Sequence, residues 1–301
     1  MLRWERVVKP TSPIIAFAVA CLGIAVFSSM DAVVKGLCLV IGTYNTLLWR
    51  SFAGVGVSGI PWLVSRPARP SRRAMRLHVE RGVVSAVMAV LFFWGLARTP
   101  MAQAIALTFI APLIAQGLAV LLLKERMQRG ALIGSILAFG GVLVILWGQA
   151  AAKMGPEALL GALSVMLSAV AYAYNIILMR RQAQVADPYE VAFFQSLIVA
   201  LCLALAMPWL AEVPPAEHAP MILLGAVLAT VSLMLLSWAY ARAEASYLAP
   251  VEFTAFIWAS FWGWTAFNEH ISLTTLLGAG LIVGGCWIAA RATDLERDVI
   301  P

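Results

Sequence analysis

The chain has 301 residues, of which 62% are hydrophobic and only 12% charged, with a formal net charge of +6 and a mean hydropathy of +0.90. Soluble globular domains carry about 45–50% apolar and roughly 25% charged residues. A water-soluble fold has nowhere to hide this much apolar surface, so the solvent for most of the chain is a bilayer.

A membrane span needs roughly 20 mostly apolar residues to cross ~30 Å of hydrocarbon. Runs between charges, prolines and polar clusters predict helices near 14–35, 44–64, 81–97, 101–123 and 130–148, then near 158–179, 190–210, 220–241, 246–267 and 273–291. Short loops join them and leave no room for a soluble domain. Ala18-Val19-Ala20-Cys21 weakly resembles a lipoprotein cleavage site, but apolar sequence runs on to Met30, which predicts a retained first span. Cys21, Cys38, Cys202 and Cys286 lie far apart and form no CxxC pair, so they read as small buried hydrophobes rather than metal ligands or a disulfide. No HExxH, GxSxG or nucleotide-binding loop is present, and His78, His218 and His270 fall in or beside predicted loops. The sequence therefore predicts no catalytic residue, no metal site and no cofactor. The expected partners are a small-molecule substrate and the lipid bilayer, with no nucleic acid, in a monomer or weak homodimer.

An even number of spans places both termini on one side. The loops of that side hold all of the 21 lysines and arginines except Lys35, Arg50, Arg98 and Lys153. Basic loop residues mark the cytoplasm, which predicts a cytoplasmic (inner) membrane protein with both termini inside. The cluster Arg66, Arg69, Arg72, Arg73, Arg76 and Arg81 is an orientation signal and is compatible with contact to anionic lipid.

Offsetting the chain by 144 residues matches Trp94 with Trp238, Ala97 with Ala241, Arg98 with Arg242, Glu125 with Glu269, Gly134 with Gly278, and Gly140-Gly141 with Gly284-Gly285. Near the second span an offset of 145 matches Tyr44 with Tyr189, Arg50 with Gln195 and Ser51 with Ser196. The division predicts two units, 1–150 and 151–301. Five spans is an odd number, so the second copy enters from the opposite side. Lys124-Glu125-Arg126 becomes Asn268-Glu269-His270, losing both basic residues as an inverted copy should. Inverted repeats are a device of secondary transporters, in which two pseudo-symmetric conformations expose one central site alternately.

The segments Ala111-Pro112-Leu113, Leu123-Lys124-Glu125-Arg126, Gly134 and Gly140-Gly141-Val142 in the first unit resemble the drug/metabolite transporter superfamily, and within it the EamA-type exporters. So do Ala249-Pro250-Val251-Glu252-Phe253-Thr254, Phe267-Asn268-Glu269, Gly278 and Gly284-Gly285 in the second. Phe27 to Lys35, followed by Arg50, fits the same family, whereas Phe256 stands where many second units place a proline opposite Pro112. The resemblance implies an all-α integral membrane protein of about ten transmembrane helices, arranged as two inverted five-helix repeats around a central cavity. It also implies cytoplasmic termini and export or exchange of polar metabolites, with amino-acid exporters and S-adenosylmethionine carriers among the members to compare.

An ionisable side chain inside a span costs about 2.5–3.5 kcal/mol and normally faces the bundle interior with a partner. Asp31 and Lys35, four residues apart on one face of the first helix, and Arg50 at similar depth on the second form a cluster with one surplus positive charge, suited to a substrate carboxylate. The alternative is a structural Asp31–Arg50 ion pair with Lys35 snorkelling to the interface. Glu252, after Pro250, can bind a substrate amine or carry a proton, or else pair with Arg242. Tyr172, Tyr174 and Asn175 line the sixth helix, and Asn175 and Gln195 replace Asp31 and Arg50 in the second unit, giving an asymmetric polar pocket. Trp258 and Trp262, four apart, offer a stacking surface for a substrate or an organic cation. Glu125 and Glu269 read as helix-end anchors, Trp94 and Trp238 as interfacial belt residues, and Gly130/Gly134 with Gly280/Gly284 as small-residue packing pairs. The predicted function is a secondary transporter exporting amino acids or amino-acid-like metabolites by alternating access. Other carrier substrates (S-adenosylmethionine, a nucleoside, a quaternary amine or another cationic drug) and a facilitative channel are the alternatives.

Overall fold

The computed structural model describes residues 13–64, 70–111, 113–114, 118, 129–151, 155–183, 185–240, 242 and 251–297, and every regular element among them is helical. Helices α1 (Pro13–Ile41), α2 (Thr43–Val64), α3 (Arg72–Leu96), α4 (Met101–Thr108) and α5 (Arg129–Ala151) come first. Helices α6 (Gly155–Ala183), α7 (Pro188–Ala204), α8 (Ala219–Tyr240), α9 (Thr254–Phe267) and α10 (Leu273–Arg297) follow, with a single turn at Met207–Leu210 and a 3-10 turn at Ala216–His218. Among the described residues, the stretches Ile14–Ile41, Thr43–Val64, Arg72–Leu96, Gly155–Met179 and Ala216–Leu236 are long and apolar enough to cross a bilayer. Large apolar side chains such as Val40, Ile60, Trp147 and Leu277 stand exposed on the outer faces, where lipid rather than water is the compatible solvent.

Several helix ends, among them those of α1, α3, α6 and α10, differ from the sequence expectation for one reason. Charged residues marked helix ends at Lys35 and Arg81, but α1 continues to Ile41 and α3 starts at Arg72. α1 stops at Gly42, whose φ of 78° is the left-handed conformation common just past a helix end. α3 is started by Ser71, whose extended backbone and side chain, accepting from the Ala74 N–H at 3.1 Å, form an N-cap. The added turns of α3 bury Ala74, His78 and Arg81 in line with Gly82, Ser85 and Ala86. Glu125, Lys124 and Pro112 lie outside the described residues.

The packing repeats when α1–α5 are exchanged in rank with α6–α10. α1 packs on α8 as α6 packs on α3; α8 packs on α2 as α3 packs on α7; and α1 packs on α9 as α6 packs on α4. The pairs α2·α7, α4·α9 and α5·α10 map onto themselves. Along α5 and α10 a Cβ added at Gly141 would lie 2.5 Å from the Gly278 carbonyl oxygen, and one added at Gly278 would lie 2.6 Å from that of Gly141. A Cβ added at Gly285 would strike the Gly134 carbonyl oxygen and one added at Gly148 would strike the Thr274 side chain, so the two helices run antiparallel along a seam kept narrow by glycine. The close contact falls on Gly278 and Gly285, whereas Gly280 faces open space. Tyr44–Leu203, Gly54–Ser196 and Gly59–Phe193 set α2 antiparallel to α7 in the same way.

Matched residues also make matched contacts. The Arg98 guanidinium lies 3.9 Å over the Trp94 ring and donates to its carbonyl at 3.1 Å; Arg242 lies 4.0 Å over Trp238 with the same 3.1 Å bond. Phe109 and Phe253, also 144 apart, both interrupt helical structure, at the end of α4 and the start of α9, and their rings meet edge to face at 5.3 Å. The interruption of the ninth predicted span thus falls three residues before Phe256, at the position that mirrors the break after α4.

Candidate functional site

Asp31 on α1 is fully buried, and among the described residues neither of its carboxylate oxygens has a hydrogen-bond partner. Arg50 on α2 lies within electrostatic reach of it. The Arg50 guanidinium sits 5.9 Å over the Phe93 ring, its Nη1 is 3.8 Å from Met30 Sδ, and its Nε is buried without a partner among the described residues. Gly225 of α8 supplies the opposite wall, where an added Cβ would come to 3.6 Å from Arg50 Cδ. Ser28 Oγ is likewise buried and unmatched, and Trp262 of α9 reaches in to donate from Nε1 to Ser29 Oγ at 3.1 Å. Helices α1, α2, α3 and α8 therefore meet at one opposite-charge pair with hydrogen-bonding capacity left over, and α9 reaches the neighbouring Ser29. Orphaned polar atoms in a buried site are expensive until a polar group meets them.

Lys35 does not join that pair. It is buried one turn further along α1, forms an ion pair with Glu269, donates to the Thr99 carbonyl at 2.8 Å and lies 4.9 Å over the Phe267 ring. Glu269 in turn accepts from the Met101 N–H at 2.6 Å, at the start of α4, and its own N–H closes on the Gly263 carbonyl beside the left-handed Asn268. Glu269 thus cancels the surplus positive charge expected of the cluster and leaves Asp31 and Arg50 electrically balanced. A small cavity of about 90 Å³ lined by Gln103, Ser260, His270 and Thr275, among others, lies against Glu269.

The mirror position is built differently. Asn175, the counterpart of Asp31, accepts from Arg81 Nε at 3.0 Å and donates to Ser85 Oγ at 2.6 Å. Arg81 also donates to Gln182 Oε1. The Gln182 amide nitrogen then donates to His78 Nδ1 at 2.6 Å, so the ring proton sits on Nε2 and faces Glu190 Oε1 at 2.8 Å. Phe194 stacks on the His78 ring at 4.7 Å. Sequence reasoning missed His78, Arg81, Gln182 and Glu190. The available signals were the helical spacing of Ala74, His78, Arg81 and Ser85, and the Asp187–Glu190 spacing of a helix start, where Asp187 accepts from the Glu190 N–H at 2.9 Å.

The remaining candidates separate. Tyr172 packs on Ala111, Ala169 and Ala173, within electrostatic reach of both Glu252 and Arg81. Tyr174 donates to Glu80 on the outer side of α3. Gln195, the counterpart of Arg50, has a buried Oε1 without a partner among the described residues. Trp258 is partly exposed against Phe261, whereas Trp262 packs into the core and reaches Ser29.

Residues 14–147 and again 159–291 match the EamA-like transporter family. The chain is 26% identical over 277 residues to the pseudopaline exporter CntI of Pseudomonas aeruginosa, covering 90% of this chain and 94% of that one. It is 30% identical over 221 residues to an uncharacterized transporter of Helicobacter pylori, covering 70% and 72% respectively. A solved crystal structure superposes with a TM-score of 0.59 at 20% identity, covering 93% of this chain and 98% of the other, a likeness of fold. With two matches that together span most of its length, the chain belongs to the EamA-like transporter family: it is a membrane-spanning transporter and not an enzyme.

Proposed function

We propose that the protein is a secondary exporter of amino-acid-like zwitterions in the inner membrane, with both termini cytoplasmic, and that it works by alternating access between units 1–150 and 151–301. The observation that carries this reading is the buried Asp31–Arg50 pair, balanced in charge yet unsatisfied in hydrogen bonds, where α1 and α2 meet α8. A zwitterion supplies what both groups lack, with its carboxylate on Arg50 and its ammonium on Asp31. The antiparallel α5·α10 and α2·α7 seams support an inverted relation of the units around a central site, and the mirrored breaks beside Phe109 and Phe253 support a site at the discontinuous helices. Export is adopted because the Pseudomonas relative is named an exporter.

Counterflow in proteoliposomes tests the reading. Unlabelled amino acid preloaded inside should accelerate uptake of labelled amino acid, and Arg50→Ala should reduce that uptake to background while expression persists. Competition among amino acids, nucleosides and cationic drugs fixes the substrate class. Uptake without trans-acceleration would mean a channel, and full activity in Arg50→Ala would remove Arg50 from the site.

A further inference from the structure

Arg72, Arg73, Arg76, Leu77 and Glu80 of α3 and Arg181 of α6 line an open basin of about 800 Å³. The four arginines form no salt bridge among the described residues, and the Glu80 carboxylate is occupied by the Tyr174 hydroxyl. The basin thus presents four guanidiniums against a single carboxylate, and guanidiniums bind phosphate oxygens in bidentate fashion.

What lies beside the basin identifies the source of the anion. Arg72, Arg76, Val79, Val83, Val87 and Val90 follow one another at three- and four-residue steps, which places them on one stripe of α3. The valines of that stripe are 36–53% exposed. From Val79 to Val90 the helix rises ~16 Å, about half of a ~30 Å hydrocarbon core and hence the depth of one leaflet. A free anion has no use for such a ridge; an amphiphile matches both parts.

We propose that this face of α3 and α6 is a binding site for an anionic phospholipid, its phosphate held by Arg72, Arg73, Arg76 and Arg181 and one acyl chain lying along Val79–Val90. The inference is independent of what is transported. A basic side chain near an anionic membrane surface contributes about fivefold in affinity.

The test uses the full-length protein in nanodiscs of phosphatidylcholine doped with phosphatidylglycerol, with retained lipid read by native mass spectrometry. The parent should hold phosphatidylglycerol over phosphatidylcholine. Arg76→Gln/Arg181→Gln should reduce that preference about 25-fold, Arg76→Lys/Arg181→Lys should keep most of it, and Arg98→Gln, at the other end of α3, should leave it unchanged. Val83→Ser/Val87→Ser should weaken retention of the lipid without changing the weak binding of glycerol phosphate. An unchanged preference in the double glutamine variant, an equal loss in Arg98→Gln, or displacement of the lipid by glycerol phosphate at equal concentration would each overturn the proposal, the last by making the site one for a free anion.

Discussion

Asp31 and Asn175 occupy matching positions of a duplicated chain, and both are buried, yet their surroundings are opposite in kind. Around Asn175 every partner is found: Arg81, Ser85, Gln182, His78 and Glu190 close a continuous chain of hydrogen bonds across α3, α6 and α7. Around Asp31 there is an arginine within electrostatic reach, itself set against Met30 Sδ and the Phe93 ring, but among the described residues no donor to its carboxylate. The two copies match the same family model yet differ in kind at this position. One is a finished network that holds three helices together; the other keeps polar capacity open. The counterpart of Arg81 is Gly225, so the space that an arginine fills in one copy stands against Arg50 in the other.

The comparison is broken most sharply by making one copy resemble the other. Asp31→Asn/Arg50→Gln installs the amides found in the second unit. It should abolish counterflow while leaving detergent-solubilised protein melting no lower than the parent, because two desolvated charges leave together. Transport that survives this exchange would make the pair structural and end the contrast. Arg81→Ala should do the reverse. It strands the Asn175 and Gln182 side-chain oxygens in a buried setting, lowers unfolding free energy by about 3 kcal/mol and leaves transport per folded molecule nearer the parent than the double variant does. A chemical-denaturation curve and a normalised uptake assay on the same preparation check both halves of that statement. The smallest effect is expected at Tyr44→Phe, which removes only the 2.7 Å bond to the Leu203 carbonyl. About 1 kcal/mol of stability and no change in uptake should result, as shown by a small drop in melting midpoint.

The helical class and the repeat were legible because both are written in local features: apolar runs of span length, and glycines, tryptophans and arginines recurring 144 residues apart. Asp31 and Arg50 were legible because a charge inside an apolar run is conspicuous. The Asn175 network was not, since His78 and Arg81 stand in an arginine-rich stretch that hydropathy assigns to a loop, and only the Ser71 cap and the buried stripe of α3 show that it is helix. The partner of Lys35 was equally hidden. Glu269 is 234 positions away, and nothing short of the packing of α1 against the turn before α10 brings them together. The same ion pair explains why a charge at Lys35 does not end the helix, which was the error in placing that boundary.

The glycine seam between α5 and α10 carries a mechanical consequence. Backbone touches backbone at Gly134–Gly285 and again at Gly141–Gly278, seven residues apart, with Ile145 and Ile282 seated beside them. Sliding one helix by a single residue, ~1.5 Å, would drive an isoleucine into a gap sized for hydrogen alone. Registry along this line is therefore locked, as with two toothed bars meshed along one edge.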